Sequence, residues 1–283
     1  MRPWRCRVST AAKRFPYTGL VNSRLPGGRS GPIVLAPDAG QILRGILLMS
    51  AAALMFPAMN GFAKFLAAEY SVVQIVWARN LGHLLFVLAL FMPGRGFVSL
   101  MRSQRPGIQI TRSVLLLTST VLMFVGIKFI PLANATAIIF TAPLFVTVLA
   151  VLILREQVGL PRWIAVLVGF AGTLIVIRPG GDLFHWAAFL IIGSATSYAF
   201  YQILTRRIAG FDSPETTVVY SALVGTVLVS LLVPFEWKTP HSLLHIALFC
   251  GMGLIGGFGH YCIARAMVLA PASVVSPFTD CPA

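Results

Sequence analysis

The chain has 283 residues, of which 57% are apolar and only 11% charged, with a mean hydropathy of +0.85. A soluble domain carries about a quarter of its residues as Asp, Glu, Lys and Arg, so a water-solvated globule is excluded and lipid is the solvent this surface needs. The net charge of +14 reads first as basic residues in cytoplasmic loops, where they set orientation and meet anionic lipid. No basic stripe interleaved with aromatics lies outside the N-terminal tail, so nucleic acid is not an expected partner.

Residues 1–41 form a basic tail in which Arg2, Arg5, Arg7, Lys13, Arg14, Arg24 and Arg29 stand among Pro, Gly and Ser. No apolar core follows those charges, so a signal peptide is not expected. A disordered cytoplasmic tail is one reading, and translation from an upstream start codon is its rival. Apolar runs follow at about 42–62, 70–92, 110–130, 132–154, 161–178, 184–205, 215–235 and 243–264, with a ninth beginning near 267. Each approaches the roughly 20 residues needed to cross the hydrocarbon core as a helix, and none alternates as a membrane barrel strand would. Pro93-Gly94, Pro131, Pro161, Pro179-Gly180-Gly181, Pro214 and Pro240 mark the connections.

Lys and Arg predict the orientation. With the tail inside, Arg95, Arg102, Arg105, Arg112, Arg155, Arg162, Arg206, Arg207 and Arg265 join it, while Lys64, Lys128, Arg178 and Lys238 lie outside. The excess favours a cytoplasmic N-terminus in an inner (plasma) membrane protein with multiple passes. A short internal repeat adds to this. Lys128-Phe-Ile-Pro-Leu-Ala-Asn-Ala-Thr136 recurs as Arg265-Ala-Met-Val-Leu-Ala-Pro-Ala-Ser273, 137 residues on. Five spans separate the copies, and an odd number inverts the second, which is how many secondary transporters are built. Chance likeness between two Ala-rich helix starts is the alternative.

From Ile130-Pro-Leu-Ala-Asn-Ala-Thr136 through Ala142-Pro-Leu144, Leu154-Arg-Glu156, Trp163 and Gly169-Phe-Ala-Gly172 to Arg178-Pro-Gly180, the chain resembles the EamA branch of the drug/metabolite transporter superfamily. Asn60, Lys64 and Arg79 match it in the first two spans, and Ala270-Pro-Ala-Ser-Val-Val-Ser-Pro-Phe278 is similar to the start of its ninth helix. The resemblance implies an all-α membrane protein of two inverted five-helix repeats, here 42–180 and 181–283. It also implies a secondary carrier moving a small metabolite, such as an amino acid or a related compound, by alternating access. Beyond the small-molecule solute and the lipid bilayer, it leaves a homodimer open as a partner. After Phe278 the chain departs from the family pattern with Thr279-Asp-Cys-Pro-Ala283. This reads as a second repeat cut short, with a nonfunctional fragment of a frameshifted gene as the alternative.

Arg79 lies deep in the second span with His83 one turn on, on the same face. An intramembrane Arg faces a bundle interior or a watery cavity, so Arg79 fits two roles equally: an anion site or gate in the path, or a lock between helices. Asn60 follows the helix-breaking Pro57, and broken helices near mid-depth often build substrate sites. Asn134 and Thr136 open the fourth span, where Thr can equally bond the backbone. Tyr198 and Gln202 share a helical stripe with Tyr201, and His260 follows a glycine-rich stretch in the eighth span. Small residues there are explained best by close helix approach. These eight residues, Arg79, His83, Asn60, Asn134, Thr136, Tyr198, Gln202 and His260, are the candidate solute contacts. Cys6, Cys250, Cys262 and Cys281 form no CxxC pair or Cys/His cluster, so neither a metal set nor a cofactor is read from the sequence. Walker, HExxH and GxSxG motifs are absent, as are paired carboxylates, so a membrane-embedded enzyme is the weaker reading.

Overall fold

The computed structural model describes residues 39–177 and 186–275. The expectations for residues 1–38, for Arg178 to Gly181 and for the segment after Phe278 lie outside the described residues. Every regular element among the described residues is helical, in the order α1 (Ala39–Leu66), α2 (Val72–Arg95), the short α3 (Phe97–Met101), α4 (Pro106–Phe129), α5 (Leu132–Ile139), α6 (Ala142–Leu149), α7 (Leu160–Ile177), α8 (Ala187–Ile208), α9 (Pro214–Ser230), α10 (Leu243–Leu269) and α11 (Ala272–Val275).

Helix starts follow local chemistry. The Ser71 hydroxyl accepts from the Gln74 amide at 3.1 Å, Ser213 from Thr216 at 3.2 Å, and Ser242 from Leu244 at 3.2 Å. Each satisfies one amide that the first helical turn leaves without a partner. Pro106 and Pro214 begin their helices where no amide partner is needed. At the far end of α4, the Lys64 ammonium donates to the Ile127 and Ile130 carbonyls, placing a cation on the negative end of the helix dipole.

The fourth span differs from the uninterrupted helix expected over 132–154. It breaks at Phe140–Thr141 into α5 and α6, then closes in a π-helical turn at Ala150–Leu154 that Arg155 ends with φ of 54°. Pro143 supplies the reason. It has no amide to offer the Ile139 carbonyl four residues back, so the helix cannot continue through it. Similarly, the eighth span runs five residues beyond its expected end, and the ninth begins at Ala272, past Pro271, rather than near 267.

Burial is inverted relative to a soluble protein. Leu43, Leu47, Leu54, Leu90, Leu152, Val168, Phe189 and Leu254 are exposed on the outside, while Arg79, Asn80, His83, Gln109, Arg112, Gln202 and His260 are buried. Among the described residues, six helical spans are long and apolar enough to cross a bilayer. Apolar flanks facing outward and charged groups facing inward are the distribution that lipid imposes. The chain is a multi-pass, all-α membrane protein. α1 packs on α10, α4 on α8, and α2 on both α9 and α10.

Candidate solute cavity

A cavity of about 630 Å³ opens among α1, α2, α4, α5, α8 and α10. Pro57, inside the otherwise continuous α1, stands at its wall with Asn60. Phe56, Phe124, Phe140 and Tyr198 provide aromatic surface, and Ser119, Thr136 and Asn60 provide hydrogen-bonding groups. The size falls within the roughly 300–1,000 Å³ range of small-molecule sites, as does the pattern of few polar groups on an apolar wall.

Arg79 reaches this wall from α2 and is 1% exposed. Its Nη2 donates to His260 Nε2 at 2.7 Å, and its Nε donates to the Met59 sulfur at 3.4 Å. A guanidinium has only donors, so His260 Nε2 is the acceptor and the ring proton belongs on Nδ1. That Nδ1 faces the Tyr201 hydroxyl at 3.3 Å. One α2 side chain is thereby joined to α1 and, through His260, to α10 and α8. Behind this pair, the His83 ring stacks on His260 with centroids 5.8 Å apart. His83 is fully buried, and neither of its ring nitrogens has a hydrogen-bond partner among the described residues.

Of the eight residues singled out in the sequence, Arg79, Asn60, Thr136, Tyr198 and His260 line the cavity. The other three do not. His83 stands behind the Arg79–His260 pair, against Gly257. Asn134 is half-buried on α5, and Gln202 is buried on α8 with its Oε1 without a partner among the described residues. The physical reason is helical phase: on α5 the cavity is lined by Leu132, Ala133, Thr136, Ala137 and Ile139, and Asn134 falls outside that arc, about 60° beyond Ala137 around the helix.

Residues missed in the sequence form a second buried polar cluster beside the arginine-rich end of the bundle. Arg112, counted there among the loop cations, is fully buried. Its Nε donates to the Thr205 hydroxyl at 3.0 Å, and its Nη1 donates to Gln109 Oε1 at 2.9 Å and to the Thr217 carbonyl at 2.7 Å. Its guanidinium carbon lies 4.9 Å from the centre of the Tyr201 ring. Asp212 supports the cluster, accepting from Ser103 at 2.5 Å, from the Gln104 amide at 2.8 Å and from Gln109 Nε2 at 2.8 Å. The only signal in the sequence was an Arg inside the third apolar run. Hydrogen bonds to a charged group contribute about 1.5–3 kcal/mol each when lost from a buried site. Asp212→Ala is therefore expected to cost about 3 kcal/mol or more, read as a lower midpoint of thermal unfolding in detergent; an unchanged midpoint would contradict the assignment.

At the same end, Glu156 in the turn before α7 accepts from the Ala272 amide at 3.2 Å and lies 3.8 Å from Arg206 Nε. Arg206 in turn bonds the Met267 carbonyl at 2.5 Å. The Leu154-Arg-Glu156 turn thus joins the first half of the chain to the start of α11.

A bundle of bilayer-length helices around a cavity walled by a Pro-bearing helix, a broken helix and a buried arginine fits a membrane carrier. Its sequence matches the profile of the EamA-like transporter family over residues 43–178 and 185–281. The chain belongs to that family and is a secondary transporter of small metabolites. It is similar to a riboflavin transporter of Vibrio cholerae, with 31% identity over 238 residues covering 83% of this chain and 80% of that protein. It is also similar to an S-adenosylmethionine uptake transporter of Rickettsia prowazekii, with 30% identity over 179 residues covering 63% of this chain and 60% of that protein. A pseudopaline exporter of Pseudomonas aeruginosa shares 26% identity over 235 residues, 82% of this chain and 81% of that one. A protein crystal structure with 19% sequence identity superposes with a TM-score of 0.63 over 85% of this chain and 83% of that one, a likeness of fold.

Proposed function

We propose that this protein carries a flat, ring-bearing metabolite of the flavin class inward across the inner membrane and releases it chemically unchanged. The observation that carries the reading is the cavity wall, where the Arg79 guanidinium stands among Phe56, Phe124, Phe140 and Tyr198. Aromatic faces stack on a conjugated ring, and a planar, donor-only guanidinium suits ring carbonyls. Asn60, Thr136 and Ser119 would meet sugar-like hydroxyls. The similarity to the Vibrio cholerae riboflavin transporter supports the same class. An amino-acid-bearing solute is the second reading, favoured by the ability of Arg79 to pair with a carboxylate and by the Rickettsia S-adenosylmethionine relative.

We place residues 42–180 as a five-helix repeat and residues 181–283 as helices six to eight and part of nine of an inverted second repeat, following an N-terminal tail on the cytoplasmic side. The helix pairing supports this. If each span maps onto the one five places later, the α1–α10 contact maps onto the α4–α8 contact, α2–α9 maps onto itself, and α2–α10 maps onto α4–α9. The principal packing therefore obeys one two-fold relation. Residues Arg112, Arg206 and Arg265 then mark the inner end, and Lys64, Lys128 and Lys238 the outer end.

Uptake of labelled riboflavin and labelled S-adenosylmethionine into proteoliposomes separates the two readings. Saturable riboflavin uptake, not competed by S-adenosylmethionine or amino acids, is expected. Accumulation of S-adenosylmethionine without riboflavin would overturn the flavin assignment. Recovery of a converted product would revive the enzyme alternative.

A further inference from the structure

From the geometry at the Lys64 end of the bundle we infer a binding site for a divalent transition metal of the Zn²⁺ type, built from Glu69, His241 and His245. One ligand atom from each of the three residues lies within 4.8 Å of the other two. The set comes from two distant parts of the chain, the turn after α1 and the segment that opens α10, 172 residues apart (69 to 241). Two imidazoles and one carboxylate are a donor set that Zn²⁺ takes in open sites, leaving a fourth position for water.

Each donor is held differently. His245, in the first turn of α10, is 7% exposed, and its Nδ1 lies 2.8 Å from the Tyr70 hydroxyl. That contact leaves Nε2 for an ion and fixes the ring, as a second hydrogen bond commonly does for a metal-binding histidine. The Tyr70 ring also packs edge-on to His245 at 5.5 Å, and His241 stands 5.3 Å from His245 between ring centroids. His241 Nε2 lies 3.1 Å from Glu69 Oε2, with both side chains well exposed, at 59% and 43%. Closing from the present spacing to metal–ligand distances of about 2.0–2.2 Å requires movement mainly from these two exposed side chains.

The backbone beneath the site is pinned. Gln74 Nε2 donates to the Lys238 carbonyl at 2.7 Å, and its Oε1 accepts from the Lys238 amide at 3.0 Å. Trp77 Nε1 donates to the Ser230 hydroxyl at 2.9 Å. These bonds hold the α9–α10 segment against the start of α2, and so bring His241 over Glu69. The Lys238 ammonium binds the Glu69 backbone carbonyl oxygen at 3.2 Å and sits over the Tyr70 ring. It leaves the Glu69 carboxylate to His241. One carboxylate against a dication leaves a net positive charge, at a site whose Glu69 and His241 side chains are open to water.

The test uses the full chain, purified in detergent without an affinity tag, titrated with Co²⁺ and then Zn²⁺. One Co²⁺ per chain with visible d–d absorption, displaced by Zn²⁺, is expected, together with a higher unfolding midpoint in Zn²⁺. His241→Ala, an exposed position whose loss leaves the packing intact, should abolish both the spectrum and the thermal shift. Glu69→Gln should weaken binding, and Tyr70→Phe should do so by about tenfold or more through the freed His245 ring. A Co²⁺ spectrum and Zn²⁺ shift that persist in His241→Ala, or that are missing from the wild-type chain, would overturn the site. Neither readout depends on the solute.

Discussion

Arg79→Ala is expected to lower saturable uptake by about 10- to 100-fold, with most of the loss in the transport of folded protein. The guanidinium makes a 2.7 Å bond to His260 and lines the cavity. A hydrogen bond involving a charged group contributes about 1.5–3 kcal/mol, and each 1.4 kcal/mol is tenfold. Arg79→Lys keeps the charge but loses the planar fork, so it should restore little. The sequence left a solute site and a helix lock as equal alternatives for this residue, and the same side chain bonds Met59 and His260 and also lines the cavity. The two contributions separate by comparison with His260→Ala. A pure lock predicts that either variant lowers the unfolding midpoint by a similar amount, that the double variant adds little, and that folded Arg79→Ala protein transports normally. Normal transport by that folded fraction would sink the solute role.

Gly253→Ala is expected to cost more stability than any surface change, by about 1–3 kcal/mol or beyond for an overpacked contact. A β-carbon at 253 would stand 2.5 Å from the Gly82 Cα, 2.7 Å from its carbonyl carbon and 3.0 Å from the His83 amide nitrogen. All three are backbone atoms, so no rotamer change can relieve the clash. α10 must move away from α2, and the displacement reaches the His83–His260 stack and the Arg79 bond one turn away. Size-exclusion chromatography and thermal unfolding in detergent should show a destabilised or aggregated protein. Gly61→Ala is the control, because nothing lies within 4 Å of a β-carbon there. Its helix propensity gain of up to about 1 kcal/mol should leave the midpoint equal or higher. Equal midpoints for the two variants would show that α2 and α10 do not meet as closely as described.

Much of the architecture was legible along the chain because lipid enforces a simple rule: a spanning segment must be long, apolar and internally hydrogen-bonded. Seven of the nine apolar runs match single helices within a few residues at most ends, although α9 stops at Ser230 rather than near 235. The fourth run hid its break because Phe140 and Thr141 are as apolar or as small as their neighbours. Pro143 stands there, but Pro is tolerated in membrane helices often enough that its presence alone does not predict a break. The ninth run showed its Pro271 equally plainly, and only the structure placed the helix start beyond it.

The polar side chains were readable as types, and their grouping was not. Arg79, Asn60, Thr136, Tyr198 and His260 come from five helices and meet only because Gly82 and Gly253 let α2 and α10 touch. Arg112 was read as a loop cation because its position near a span end says nothing about which way it points; packing turned it inward, onto Thr205 and Thr217. His241 and His245 were too isolated to suggest a metal until the fold brought Glu69 beside them. Composition and span length determined by themselves that this is a helical membrane protein, because those properties depend on the solvent and are local. Which polar groups share a cavity, which pair and which stand alone was decided by contacts between helices distant along the chain, and one-dimensional periodicity carries no record of those.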